Sequence, residues 1–142
     1  MLFELSSICG CAFIMNYDDD DGHAGIMLAS HDSVFTRDRE LSDDTSVRDL
    51  VEFVHSVALA AQADLEAGTP YANLVDQGDH YPDLGLTARF TYPGEDCRTV
   101  RAEFTALPDQ TPSLGFCEVR VTLDLSVTHL FADAQMAYRQ LT

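Results

Sequence analysis

Lysine is absent from the 142 residues, and eight arginines face 24 aspartates and glutamates, a formal net charge of −16. A surface so short of cations has little with which to displace the counterions of a polyphosphate, which argues against DNA or RNA as a partner, and against an anionic membrane. No apolar run approaches the roughly 18–20 residues that cross a bilayer. The N-terminus also lacks a basic segment followed by a long apolar one, so neither a membrane span nor a signal peptide is expected, and the expected compartment is the cytoplasm. Missing too are GxGxxG, GxxxxGK[ST], HExxH, GxSxG and CxxC, the patterns that cradle phosphates, hold zinc or present a nucleophile. Catalytic triads are spatial, so an enzyme stays open, but nothing argues for one. No catalytic residue, metal or cofactor is expected.

Hydrophobic residues make up 46% of the chain, enough for one core in one α+β domain spanning residues 1–142. The strongest pattern lies at residues 45–67. Val47, Leu50, Val51, Val54, Val57, Ala58, Ala61 and Leu65 recur at the three-and-four spacing of one helical face. Asp43 and Asp44 precede it, Ser42 or Thr45 is the expected N-cap, and Gly68 before Thr69 and Pro70 ends it. Such a helix is about 33 Å long. A second amphipathic stretch at 126–141, with Val127, Leu130, Phe131, Ala134, Tyr138 and Leu141 on one face, predicts a C-terminal helix.

Strands are expected before and between these helices. Residues 2–17 read as a strand broken near Gly10, 24–29 as its partner across an Asp21-Gly22 turn, and 33–36 as a short third strand. Segments 86–92, 98–106 and 117–125 alternate cleanly and form a meander. Inward faces can pair Phe104 with Val119 and Ala102 with Val121, which sets Glu103 opposite Arg120. Residues 68–85, with two prolines and three glycines, are expected to be irregular. The expected order is ββ(β)αβββα: an antiparallel sheet with the long helix and the C-terminal helix packed on one face. No internal repeat is evident.

Asn16 to His23 carries four consecutive aspartates and invites a calcium-loop reading, but no register puts glycine and the closing glutamate where an EF-hand needs them. A solvated acidic hairpin tip fits better. Cys9 and Cys11 in CGC could ligate a metal, yet Cys97 and Cys117 supply no second pair, and buried free thiols are the simpler expectation. Asp76, Asp79, His80 and Asp83 form the densest titratable cluster, without a spacing specific to metal or acid-base chemistry.

In size, charge and class the chain looks like the inhibitors and immunity proteins of bacterial toxin systems and like acidic phage-encoded inhibitors. That resemblance implies a module that neutralises a basic partner, such as a toxin, nuclease or nucleic-acid-binding protein, by placing carboxylates where phosphates would lie. Candidate contacts are Asp18, Asp19, Asp20, Asp21, Asp43, Asp44, Asp76, Asp79 and Asp83. Two alternatives are a small metal-binding protein or enzyme using residues 76–83, and an acidic structural subunit whose charge is an adaptation to high salt.

Overall fold

A computed structural model describes residues 1–7, 9–107 and 118–141. Among these residues eight strands and two helices follow in the order β1 (Leu2–Ser6), β2 (Ala12–Asp18), β3 (His23–Ala29), β4 (Val34–Glu40), α1 (Thr45–Ala67), β5 (Gln77–Tyr81), β6 (Leu86–Thr91), β7 (Thr99–Ala106), β8 (Val119–Ser126) and α2 (Val127–Leu141), with a 3₁₀ turn at Pro82–Leu84. The class is α+β, and both helices lie where the periodicity places them.

The strands divide into two four-stranded antiparallel sheets, β1-β2-β3-β4 and β5-β6-β7-β8. Each is a simple meander, and each is followed by a helix. The molecule therefore repeats one topology, four strands then a helix, although the sequence shows no repeat. Two strands more are present than the expected order holds: residues 2–17, expected as one strand broken near Gly10, form the separate strands β1 and β2, and β5 is added after α1. β4, the expected short third strand, runs to Glu40 rather than stopping at Thr36, and β5 occupies part of the segment expected to be irregular. Neither alternates cleanly: β4 turns Arg37 and Arg39 to the side where its neighbours place apolar residues, and β5 buries only Tyr81.

The inner faces share one core. Phe13 of β2 stacks on Phe104 of β7 with ring centroids 4.1 Å apart, and Phe90 of β6 meets Phe104 and Phe53 of α1 edge-on. Those rings join both sheets and α1 in one apolar cluster. The helices lie against each other, with His55 stacked on Tyr138 at 4.2 Å. Arg37, only 9% exposed, reaches from the edge strand β4 to the other sheet, where its guanidinium donates to the carbonyls of Gly85 (2.8 Å) and Leu107 (2.7 Å). A planar, forked donor suits two carbonyls at once.

The β7–β8 pairing is displaced by two residues from the expected register: Phe104 faces Val121, Ala102 faces Leu123 and Glu103 faces Thr122. A slip of two keeps every side chain on its face, so alternation alone could not choose. Arg120 still reaches Glu103 diagonally at 3.6 Å. Cys117 and the connection at 108–117 lie outside the described residues.

On α1 the buried stripe is the expected one with one exchange. Asp64, fully buried, takes the place assigned to Leu65, which is half-buried. The N-cap is Asp44 rather than Ser42 or Thr45, and its side chain turns to Arg48 instead of to an amide. Gly68 closes the helix in the left-handed conformation, as expected. Among the described residues no helix is long and apolar enough to cross a membrane.

Candidate functional site

Two acidic segments distant in sequence meet at one end of the first sheet. The β2–β3 loop and the β4–α1 connection enclose a concavity of about 480 Å³ lined by Tyr17, Asp19, Asp20, Asp21, Gly22, Leu41, Ser42, Asp43 and Asp44. Backbone geometry builds it. The hairpin closes through the Gly22 amide on the Asp18 carbonyl at 2.9 Å, with Asp18 and Asp21 carboxylates accepting the amides of Asp20 and His23. Gly22 adopts φ +71°, and its carbonyl accepts the Leu41 amide at 2.8 Å, so the acidic tip is tied to the chain entering α1. A Cβ at Gly22 would stand 2.7 Å from the Leu41 carbonyl oxygen, which only glycine avoids.

Electrostatics follow the geometry. The Asp43 carboxylate accepts the Thr45 amide at 3.0 Å, a charge-assisted bond that holds its pKa below the ordinary value. Asp44 pairs with Arg48 at 3.0 Å, and Arg48 also donates to the Leu141 carbonyl at the end of α2. Tyr17, 5% exposed, lies at the base, where burial first and then the charges of Asp19, Asp44, Asp43 and Asp18 raise its pKa. One phenol thus senses carboxylates from both segments. Asp18 faces away from the concavity, into a smaller cleft with Asn16, His23 and Asp38.

The other predicted acids do not join them. Asp76 forms a bidentate pair with Arg89 (2.9 and 2.7 Å), which lowers its pKa. Asp79 and His80 lie on β5 beside a shallow groove of about 560 Å³ across the outer face of the second sheet, shared with Arg89, Glu103 and Arg120. Asp83 accepts the Ser46 hydroxyl at 3.0 Å near the start of α1. On that outer face Arg101 also pairs bidentately with Asp124, directly opposite it. Asp76, Glu103 and Asp124 are thus each paired with an arginine, in exposed pairs that solvent screens.

Residues 76–83 do not converge into a ligand set. Among the described residues, the group of three or more His, Cys, Asp or Glu side chains close enough to share an ion is instead Cys9, Cys11 and His31, whose ligand atoms lie within 4.8 Å of one another. The cysteines sit in the β1–β2 turn, closed by the Ser7 amide on the Cys11 carbonyl (2.9 Å) and the Gly10 amide on the Ser7 carbonyl (3.2 Å). His31 comes from the β3–β4 connection. β2 and β3 pair Ala12 with Ala29, so both connections emerge at the same end of the sheet. Sequence spacing identified the cysteines but had no means of bringing His31 to them.

Tyr17, His31, Arg37 and Asp64 are the residues sequence reasoning missed. Asp64 was legible in principle, since it continues the spacing of Val54, Val57 and Ala61 and so stands on the apolar face. No family model, curated protein or solved structure matches the chain.

Proposed function

We propose that the chain is an acidic protein-binding module, a stoichiometric inhibitor or immunity-type protein that masks a basic partner. The observation that carries this reading is the convergence of Asp19, Asp20 and Asp21 with Asp43 and Asp44 on one preformed concavity. Preorganisation matters because carboxylates already held in place lose little freedom on binding. A guanidinium or ammonium group from the partner would fit between them and form charge-assisted hydrogen bonds. The field of −16 would steer a cationic protein toward this end and raise its rate of encounter. A toxin, nuclease or other nucleic-acid-binding protein has the required cationic face.

The test is a pull-down from the source organism with the wild-type chain and with Asp19, Asp20, Asp21 and Asp43 changed together to Asn. The reading expects a basic protein retained by the wild type and lost by the variant. Retention of a neutral or acidic protein, or equal retention by both chains, would overturn it.

A further inference from the structure

The geometry points to a zinc site formed by Cys9, Cys11 and His31, at the end of the first sheet opposite the acidic concavity. β2 is seven residues long, so roughly 20 Å separates the two ends. The inference does not rest on partner binding.

Three features support it. First, the donor set is two thiolates and an imidazole, a combination zinc takes up in both structural and open sites. Tetrahedral zinc with bonds of about 2.3 Å to sulfur and about 2.0 Å to nitrogen separates its ligand atoms by about 3.5–3.8 Å. The observed atoms already lie within 4.8 Å of one another, so small side-chain rotations complete the geometry.

Second, the backbone presents the ligands. Gly10 adopts φ +90° between the cysteines, and a Cβ there would touch the His31 ring at 3.9 Å, so the imidazole lies close against the turn. The Ser7 hydroxyl is 3.0 Å from Cys9 Sγ and also accepts the Cys11 amide at 3.2 Å, fixing both ends of the CGC loop.

Third, the ligand atoms are within reach of an ion arriving from solvent. Binding would release both thiol protons to solvent, so uptake weakens as pH falls. Cys9 and His31 are exposed and Cys11 is 8% exposed, which leaves the fourth position to water and gives the ion a path of entry. The bound ion would join the β1–β2 turn to the β3–β4 connection.

The experiment titrates the reduced, metal-free full-length chain with Zn²⁺ against a chromophoric chelator, beside Cys9→Ser, His31→Ala and Cys97→Ser. Circular dichroism checks that each variant is folded. Cys9 and His31 are exposed, so their variants should keep the fold. One zinc per chain is expected for wild type and Cys97→Ser, with affinity reduced at least tenfold in both Cys9→Ser and His31→Ala. Zinc binding should also raise the melting temperature of the wild type and not of Cys9→Ser. Absence of zinc binding by the wild type, affinities unchanged in the folded variants, or uptake of Cu⁺ but not Zn²⁺ would overturn the assignment.

Discussion

The Tyr92 hydroxyl donates to the Asp64 carboxylate at 2.7 Å, inside the protein, where Asp64 is fully buried. The same carboxylate accepts the amide and side chain of Asn73 (2.7 and 3.0 Å) and the amide of Leu74 (3.1 Å). One side chain on the last turns of α1 therefore pins the segment leaving the helix and anchors it to the residue following β6. Asp64→Ala strands buried donors and is expected to cost about 3–5 kcal/mol. Tyr92→Phe removes a single bond to a charged group, about 1.5–3 kcal/mol. Urea unfolding of both variants checks the order of the two losses.

Acid should weaken this anchor. Burial alone pushes the Asp64 carboxyl up, but Tyr92, Leu74 and Asn73 together hold it below the ordinary range. Its folded pKa is thus depressed relative to an unfolded value of about 3.9. The unfolded state binds more protons in that interval, so the contribution is fully present above about pH 4 and is lost as pH falls through the folded pKa. Acidification also relieves the self-repulsion of a chain at −16, which acts in the opposite direction. The stability difference between wild type and Asp64→Asn isolates the effect: it should be constant near neutrality and shrink below about pH 4.

Gly85 accepts both the Arg37 guanidinium and the Leu107 amide, and it adopts φ +60°. A Cβ there would collide with the Arg37 guanidinium. Gly85→Ala is expected to cost more than the roughly 1–2 kcal/mol of a left-handed backbone, because the inter-sheet bonds are displaced as well. Arg37→Lys should not restore stability in place of Arg37, since one ammonium cannot reproduce a fork across two carbonyls. Thermal unfolding of the two variants tests both statements.

Gly22→Ala leaves every charge in place but forces the Asp18-to-Gly22 loop away from the Leu41 carbonyl. If shape as well as charge makes the site, partner affinity should fall about tenfold or more with net charge unchanged, a loss of about 1.4 kcal/mol. Calorimetric titration of the captured partner measures it.

Legibility in the sequence follows the range of the interactions. α1 and α2 are set by local periodicity, and Gly22 and Gly68 by local backbone demands, so they could be read directly. Val54, fully buried at mid-helix, is where the spacing puts it, and Val54→Asp should cost several kcal/mol by burying an unpaired charge. β4 and β5 escaped full recognition because their inward residues are long-range partners: Arg37 is stabilised by carbonyls 48 and 70 residues away. The two acidic segments were each visible. Their meeting over Tyr17, and that of His31 with the CGC turn, depended on sheet topology that no local pattern carries.

An interface made by the acidic concavity must respond to ionic strength. Raising salt from about 0.01 M to about 1 M shortens the screening length from about 30 Å to about 3 Å. The affinity for the basic partner should fall steeply across that range, with a shallower slope when Asp19, Asp20, Asp21 and Asp43 are changed to Asn and an unaltered slope when Asp76, Asp79 and Asp83 are changed instead. Binding insensitive to salt, or equal flattening by both sets of substitutions, would contradict the account.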